Sequence, residues 1–326
     1  MSDLLIMGVE ASTARVEALV ADLEGTVAGR GRSGAASPTA LPVPDVAAHL
    51  AEAVARALAG LDPSAVRAVV LGTPGILRFQ RGESAARLAG VWRAAGLACP
   101  VTIVPDAVTA FAAGTAQPSG SVLIAGAGAM AARVDHEQVT ARIDGNGWLV
   151  GDDGSGFWLG RQAVRAVFAA LEERGEDTLL RDAVLSTIAQ GEAVPRGRAE
   201  CISLLRDCVY DGPPVALAAL APLVPAAAEA GDRVAHRIVR RAVDLLVDAA
   251  EPLVGGTGPL VLAGSLLSAD GPIRREVRGR LAQRHGRSPL LARPGPAGAL
   301  WLAALRIDRG FGAAAHRQFT ELGTDR

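Results

Sequence analysis

The chain of 326 residues contains no lysine, because all 33 of its basic residues are arginines. A P-loop of the G-x-x-x-x-G-K-[ST] type needs a lysine on the nucleotide phosphates, and a Schiff-base enzyme needs an amine nucleophile. The sequence therefore excludes both mechanisms. The 34 acidic residues leave a formal net charge of −1, so no basic excess favours nucleic acid or an anionic membrane as a partner.

Cysteine and long apolar runs are also scarce. The three cysteines, Cys99, Cys201 and Cys208, show no C-x-x-C spacing and cannot form a disulfide framework; this is typical of a reducing compartment, so we expect a cytoplasmic protein. The first residues lack the basic head and long apolar stretch of a signal peptide. The uncharged run 212–228 is broken by four prolines. No membrane segment is expected.

The pattern of elements predicts an α/β protein. Its predicted strands are 4–9, 16–23, 26–30, 66–71, 101–104, 259–263 and 290–292, and its predicted helices are 45–58, 83–95, 107–114, 273–284 and 297–307, with a long helical region at 155–254. The opening strands form a meander, and strands and helices then alternate.

An internal repeat accompanies this alternation. Segments 6–16 and 124–134 share six identical residues at an offset of 118, which indicates a duplicated domain, although chance matches are common in an alanine-rich chain. We therefore predict one lobe at 1–117 and a second at 118–326. The second lobe carries a helical insert at 155–254, and a last helix at about 310–326 can pack back on the first lobe.

Four glycine-rich turns follow or interrupt the predicted strands, at 8–13, 126–129, 145–156 and 263–265. Glycine lets backbone N–H groups approach phosphate oxygens, which gives a lysine-free chain a way to bind a nucleotide. Each turn alone is explained equally well by chain reversal. The second turn also fits the G-x-G-x-x-A dinucleotide fingerprint, but the sequence after it alternates like a β-hairpin instead of opening a helix.

Several carboxylates lie beside these turns. Asp106 directly follows predicted strand 101–104, so it can point into the cleft of an α/β sheet or cap the next helix. Glu10 ends the first strand, and Asp152 and Asp153 lie in the third turn. This combination suggests Mg²⁺ held through water and one base for a hydroxyl proton. The histidines show no zinc-ligand spacing, and the chain has no G-x-S-x-G motif.

Four segments carry a more specific pattern: GNGWLVGDDGSGFWLGR at 145–161, AEAGDRVA at 228–235, LAGS at 262–265 and PAGA at 296–299. Together they resemble the N-acetylglucosamine kinase and BadF/BadG/BcrA/BcrD ATPase family of the actin/hexokinase/Hsp70 superfamily. The resemblance implies two ribonuclease-H-like, actin-like ATPase lobes around a central cleft. It further implies a small-molecule sugar substrate, ATP and Mg²⁺ as cofactors, and homodimers as a common assembly.

The resemblance also implies roles for individual residues. Asp106 matches the aspartate that binds the sugar and accepts the proton of its hydroxyl, an effect typically worth about 10²–10⁴ in rate. Further sugar-binding positions are Ser37, Gly145, Asn146 and Asp152; nucleotide-binding positions are Thr13, Arg15, Gly126, Ala127, Gly128, Ala228, Gly264 and Ser265; and Glu10 is the metal position.

Two phosphate loops depart from the family pattern. The first, usually G-V-[DE]-G-G-G-T-[KR], is GVEASTAR at 8–15, and the second, usually G-T-G-S, is GAGA at 126–129. Two functions therefore stay open: an ATP-dependent kinase for N-acetylglucosamine or a related hexosamine, and a sugar-binding or regulatory protein that has lost phosphoryl transfer. A third, an iron–sulfur activator, lacks any cluster motif among the cysteines.

Overall fold

Two five-stranded mixed sheets with the same strand order form the framework of the protein. The computed structural model describes residues 4–37, 41–79, 82–256 and 258–322. The first sheet has the order β3-β2-β1-β4-β5, with strands β1 (Leu5–Ala11), β2 (Val16–Asp22), β3 (Val27–Ser33), β4 (Val66–Thr73) and β5 (Val101–Pro105). The second has the order β8-β7-β6-β9-β10, with strands β6 (Ser119–Ala125), β7 (Ala129–Asp135), β8 (Gln138–Asp144), β9 (Leu260–Ala263) and β10 (Leu290–Leu291).

Strand directions confirm a duplicated topology. In each sheet the first three strands pair antiparallel and the last two join them in parallel. The predicted offset of 118 is wrong, however. Ala11 pairs with Val16 where the first hairpin closes, and Ala125 pairs with Ala129 at the same place in the second. Equivalent strand ends are thus 114 residues apart, and the six identities reflect composition instead of structural equivalence.

Helices cover the sheets. The first half contains α1 (Val43–Ala57), α2 (Gly82–Ala94) and α3 (Asp106–Ala112); residues between β8 and β9 form α4 (Gly156–Leu171), α5 (Leu180–Ile188), α6 (Arg198–Tyr210), α7 (Leu223–Glu229) and α8 (Arg233–Val254); and the end of the chain forms α9 (Ser265–Ser268), α10 (Pro272–His285), α11 (Ala297–Ile307) and α12 (Ala313–Glu321). Short 3₁₀ segments lie at Pro63–Ala65, Ile76–Phe79 and Pro214–Leu220. The predicted helical region between β8 and β9 is thus a group of five α-helices.

The AEAGD segment organises this helical group through Asp232. Its carboxylate accepts the N–H of Ala235 at 2.7 Å as the N-cap of α8, and it accepts the Thr178 hydroxyl at 2.9 Å and the Leu179 N–H at 2.6 Å. Burial alone would raise the pKa of Asp232, but these hydrogen bonds lower it below its usual value. The aspartate of this motif therefore joins the start of α8 to the start of α5.

Helices α3 and α11 join the two sheets. Helix α3 follows β5 and packs against β6, β7, β8 and β9 of the second sheet as well as β1 and β4 of the first, whereas α11, which follows β10, packs against β1, β4 and α3. This crossing is close: a Cβ on Gly298 would lie 1.9 Å from the carbonyl oxygen of Thr109, and one on Gly8 would lie 2.3 Å from the Leu300 nitrogen. The start of α3, where Asp106 stands, is consequently placed where the two sheets meet.

The last helix, α12, contacts the first half of the chain. Its Gln318 donates to the carbonyl oxygen of Glu24, the Arg30 guanidinium donates to the Leu322 carbonyl at 2.6 Å, and His316 Nε2 lies 2.8 Å from the Ala112 carbonyl oxygen. These contacts are those expected of a last helix that packs back. The division of the chain into lobes after residue 117 stays a prediction.

Membrane-spanning helices were also sought among the described residues. None is by itself long and apolar enough to cross a bilayer. Segments Pro214–Glu229 and Arg233–Val254 meet that test only when joined, and they are bent by 117° relative to each other. Val224 and Leu246 within them have no exposed side-chain surface, so these segments pack inside the protein.

Candidate active site

Asp106 is the first residue of α3 and stands directly after β5. Its side chain is partly buried, and its Oδ1 accepts the N–H of Ala107 at 3.0 Å. The alternative that Asp106 is the helix N-cap is wrong, because Pro105 holds that position and no side chain caps α3. Burial raises the pKa of Asp106, while the Ala107 N–H and the charge of Arg142 act in the opposite direction. The site thus holds a carboxyl group with increased proton affinity.

Glu10 lies near Asp106 at the end of β1. Burial, and then the charges of Glu17 and Asp106, raise its pKa to about 8, against a smaller opposing effect of Arg15. Glu17 itself forms ion pairs of 3.0 Å with both Arg15 and Arg32. Glu10 therefore holds its proton more tightly than an exposed glutamate does, and a cation close to it would favour the ionised form.

The predicted metal position was tested on these carboxyl groups. Within the described ranges, no three His, Cys, Asp or Glu side chains converge closely enough to hold a metal ion directly. Two acidic side chains that share one electrostatic environment, Glu10 and Asp106, suit a hydrated Mg²⁺ bound through water. The donor set fits the metal in that manner, and Glu10 as its position stays a prediction.

Arg142 faces Asp106 from the second sheet, and no sequence motif indicated it. It stands on β8, against which α3 packs, and its charge lowers the pKa of Asp106. Its Nη2 lies 3.5 Å from Asn146 Oδ1. Among the described residues, no carboxylate oxygen lies within 4.0 Å of its guanidinium nitrogens. The site therefore places a carboxyl group and a guanidinium cation near each other at the junction of the sheets.

The first loop, between β1 and β2, is closed by Ser12. Its hydroxyl oxygen accepts the N–H groups of Ala14 and Arg15, each at 3.2 Å, and donates to the Arg15 carbonyl at 2.9 Å. Thr13 is partly exposed, and the Arg15 guanidinium pairs with Glu17. Two N–H groups that would face a phosphate in a glycine-rich loop are thus already bonded within the protein.

The second phosphate turn lies against the turn that ends β9. A Cβ on Gly126 would be 3.8 Å from both the nitrogen and the hydroxyl oxygen of Ser265, and 4.0 Å from the Gly264 Cα. Gly264 has a φ of +87°, and a side chain there would meet the Ala125 carbonyl oxygen at 2.4 Å. Only glycine fits this position. The structure thus brings together three predicted nucleotide-binding residues.

The carbonyl groups and the N–H groups of the second turn differ in their hydrogen bonding. The carbonyl oxygens of Gly126 and Ala127 accept N–H groups of Gly156 and Phe157 at the start of α4, at 2.7 and 3.1 Å. Among the backbone hydrogen bonds of the described residues, the N–H groups of Ala127 and Gly128 have no acceptor. Such paired free N–H groups are the donors that a phosphate oxygen requires, so this turn fits a nucleotide better than the first loop does.

The third turn places Asp152 against the second. Asp152 Oδ1 accepts the Ala129 N–H at 3.3 Å, and the Ala129 carbonyl accepts the Gly145 N–H at 3.0 Å. Burial, followed by the charges of Asp144 and Asp153, raises the pKa of Asp152 against its hydrogen bonds. Two predicted sugar-binding residues, Gly145 and Asp152, therefore lie directly beside the phosphate turn.

The same turn carries exposed side chains. Asn146 is exposed, and the large apolar residues Leu149 and Val150 are 73% and 76% exposed. Trp148 is 36% exposed, and its ring centroid lies 5.6 Å from that of Phe157. An amide, a tryptophan face and apolar surface are the groups that commonly bind a sugar.

Ser37 and Ala228, the remaining predicted positions, are both buried. Ser37 has no exposed surface and follows Ala36, whose N–H bonds to the Ser12 carbonyl at 2.9 Å. Ala228 is 1% exposed within α7. The next residue, Glu229, forms an ion pair of 2.6 Å with Arg275 of α10, the long helix that follows the turn at Gly264.

The contacts thus define two groups of predicted residues. One contains Glu10 of β1 and Asp106 of α3, which lie close enough for the charge of Asp106 to raise the pKa of Glu10, together with Arg142 near Asp106. The other contains the sugar and phosphate positions of the second sheet, namely Gly126, Ala127, Gly128, Gly145, Asp152, Gly264 and Ser265. Residues 129–144 form the hairpin of β7 and β8, so the dinucleotide alternative for this segment is wrong.

Comparison with known proteins agrees with this architecture. The model of the BadF/BadG/BcrA/BcrD ATPase family matches residues 7–296. The chain is 31% identical over 118 residues to an N-acetylmuramic acid/N-acetylglucosamine kinase of Clostridium acetobutylicum, covering 36% of this chain and 38% of that protein. It is 25% identical over 197 residues to an N-acetyl-D-glucosamine kinase of Dictyostelium discoideum, covering 57% and 59%. The matches thus span less than two thirds of either relative.

Solved structures show the same fold. A putative N-acetylglucosamine kinase from Chromobacterium violaceum superposes with a TM-score of 0.73 at 22% identity, covering 93% of this chain and 99% of that one. A ROK family glucokinase from Streptomyces griseus, in complex with glucose and AMPPNP, gives a TM-score of 0.57 at 19% identity, covering 94% and 100%. The two sheets are therefore the two lobes of the fold that these kinases have. By its sequence over residues 7–296, the chain belongs to the BadF/BadG/BcrA/BcrD ATPase family.

Proposed function

We propose that the chain is an ATP- and Mg²⁺-dependent kinase that phosphorylates N-acetylglucosamine or a related hexosamine. The observation that carries this proposal is the position of Asp106, a partly buried acid with a raised pKa at the junction of the two sheets. Both curated relatives are named as kinases of N-acetylated amino sugars. Their names support the choice of substrate.

The reaction needs one base for the hydroxyl proton and a bound ATP as the phosphoryl donor. A sugar hydroxyl oxygen attacks the γ-phosphorus of ATP, the bond from that phosphorus to the β–γ bridging oxygen breaks, and ADP leaves. The hydroxyl proton passes to the Asp106 carboxylate. A base whose pKa lies closer to the working pH transfers protons more efficiently, and the burial that raises the pKa of Asp106 therefore favours this role.

Binding is divided between the two groups of residues. The free N–H groups of Ala127 and Gly128 suit the phosphates of ATP, and the turn at Gly264 suits its nucleoside. Bound Mg²⁺ would neutralise charge on the phosphates, and Glu10 would hold the ion through water. The sugar would lie between Asp106 and the turn that carries Asn146.

A substrate panel tests the proposal. Purified chain with Mg²⁺ and ATP is assayed for ADP release with N-acetylglucosamine, N-acetylmuramic acid, N-acetylgalactosamine, glucosamine and glucose, and without sugar. We expect the largest kcat/KM for an N-acetylated amino sugar. Folded protein that releases no ADP in response to any of these sugars would contradict the proposal.

The closed first loop favours a second candidate function. Because Ser12 already binds two N–H groups of that loop, the chain could bind a sugar without transferring a phosphoryl group. Calorimetry separates the two functions: the kinase binds Mg²⁺·ATP, whereas the binding protein binds the sugar alone. The proposed homodimer is tested by light scattering of the same sample, and the proposed cytoplasmic location by cell fractionation.

A further inference from the structure

The carboxylate of Asp144, the last residue of β8, accepts three backbone N–H groups of the turn that follows. Its Oδ1 accepts from Asp152 at 2.8 Å and from Asn146 at 3.4 Å, and its Oδ2 accepts from Asp153 at 2.8 Å. Hydrogen bonds to an ionised carboxylate are roughly twice as strong as neutral ones. One side chain thus ties both ends of the turn together.

The turn is built around this carboxylate. Gly151 approaches it so closely that a Cβ there would lie 2.2 Å from Asp144 Oδ1 and 3.0 Å from the Asn146 Cβ. The Gly147 carbonyl accepts the N–H groups of Val150 and Gly151 at 3.2 and 2.9 Å. A side chain at 151 would therefore displace either the carboxylate or the backbone of Asn146.

Asp152 has an unfavourable backbone conformation in this turn. Its φ is +56°, and that of Asp144 is +62°; L-residues rarely adopt such values, which persist only where surrounding contacts impose them. The bond from the Asp152 N–H to Asp144 is such a contact. With its nitrogen held there, the Asp152 carboxylate reaches the Ala129 N–H beside the phosphate turn.

We propose that Asp144 is the positioning residue of the sugar site: its three hydrogen bonds hold the Asn146 side chain and the Asp152 carboxylate in their binding positions. This inference rests on the proposed kinase function. Asp144 itself need not touch the sugar. It acts through the backbone of the residues that do, which predicts a selective effect on sugar binding.

Two substitutions weaken the hydrogen bonds of the Asp144 carboxylate independently. Asp144→Asn keeps the size of the side chain and tolerates a positive φ. However, it replaces one acceptor oxygen by an NH₂ donor, which then faces one of the three backbone N–H groups. Gly151→Ala leaves the carboxylate and forces it away. Asp135→Asn is the matched control, because Asp135 lies at the far end of the β7–β8 hairpin and, within the described ranges, accepts from Ser119 and its neighbour His136.

Steady-state kinetics and hydrogen exchange form the test. In both Asp144→Asn and Gly151→Ala we expect the sugar KM to rise about tenfold or more, while the ATP KM changes less than twofold. Amides in a peptide covering residues 146–153 should exchange faster. Asp135→Asn should match the wild-type chain in all three measurements.

The outcomes separate the two proposals. Unchanged exchange and an unchanged sugar KM in Asp144→Asn would refute the positioning role, and so would equal losses toward sugar and ATP. If the wild-type chain binds sugar without transferring phosphate, the sugar Kd from calorimetry replaces the KM in the same comparison. A wild-type chain that neither binds nor phosphorylates any sugar would instead refute the proposed function.

Discussion

Burial, together with the charges of Glu17 and Asp106, makes Glu10 costly to ionise, and stability therefore depends on pH at this single residue. Glu10 has a pKa of about 8 in the folded chain against an ordinary value of 4.5. Between these values the folded state holds a proton that the unfolded state has released. The contribution of Glu10 to stability is therefore complete below pH 4.5 and is lost as the pH rises to 8.

Glu10→Gln removes this dependence. Urea unfolding at pH 5, 6, 7 and 8 should show the variant gaining stability relative to the wild-type chain, by up to about 1.4 kcal/mol per pH unit for one proton. Glu192→Gln, at an exposed position in the other half of the chain, serves as the control. Parallel pH profiles for Glu10→Gln and wild type would show that Glu10 is not protonated.

Ser12 gives a second test at the residue scale. Ser12→Ala removes the hydroxyl that occupies the N–H groups of Ala14 and Arg15. If that loop faces ATP, the freed donors should lower the ATP KM by about 2- to 10-fold, as one net hydrogen bond is worth about 0.5–1.5 kcal/mol. Ser203→Ala, in exposed surface of α6, should change nothing. An ATP KM that stays constant or rises would contradict a phosphate role for the first loop.

A functional residue could be predicted from the sequence only where a local pattern indicated it. Asp106 was marked by its place directly after a strand. Arg142 and Asp144 were not, because their partners are reached only through the packing of α3 on β8 and through a turn with two non-glycine residues at positive φ. The effect of Ser12 needed the hydrogen-bond geometry of its loop.

At the scale of elements, the crossing of α3 and α11 fixes the position of Asp106. Gly298→Ala would place a Cβ 1.9 Å from the Thr109 carbonyl oxygen and 2.7 Å from the Ala113 nitrogen, both backbone atoms of the segment that begins at Asp106. Overpacking of this kind typically costs about 1–3 kcal/mol. We expect a loss of that order in unfolding free energy and a fall in kcat.

The matched control for this prediction is Gly90→Ala. Gly90 lies within α2, and nothing would lie within 4 Å of its Cβ. Because alanine favours a helix over glycine by about 1 kcal/mol, this variant should be as stable as the wild-type chain or more so. A Gly298→Ala variant as stable and active as Gly90→Ala would contradict the close crossing.

Elements themselves were largely predictable. The strands of the first meander and the helix at Ala297–Ile307 follow from hydrophobic periodicity, and alternation after the second glycine turn indicates the β7–β8 hairpin. The register of the repeat did not follow, because alanine and glycine recur throughout the chain and match by chance. Only strand pairing showed that Ala11 and Ala125 are equivalent ends.

At the scale of the whole molecule, the two sheets are joined through one apolar cluster. Ile6 and Val70 of the first sheet and Val122 and Val261 of the second belong to it, together with Trp301 of α11. Sequence periodicity could not predict this arrangement. It depends on helices α3 and α11, each of which packs on the sheet to which its preceding strand does not belong. The family resemblance supplied the two lobes, and the contacts supply the reason that Asp106 faces Arg142.

The absence of lysine now has a structural counterpart. In the described part of the second turn, N–H groups at Ala127 and Gly128 are available where a lysine would otherwise meet phosphate. The first loop offers fewer such groups, since Ser12 binds two of them. Nucleotide binding, if the chain is a kinase, should therefore rest mainly on the second lobe.

The turnover of Asp106→Asn tests the central claim most directly. The variant keeps the size of the side chain but cannot accept the hydroxyl proton, so kcat for the best amino sugar should fall by about 10²–10⁴. The ATP Kd should stay within about twofold, and Asp153→Asn, which removes an exposed carboxylate of the neighbouring turn, should retain most of the activity. Turnover by Asp106→Asn at the wild-type rate would contradict the assignment of Asp106 as the base.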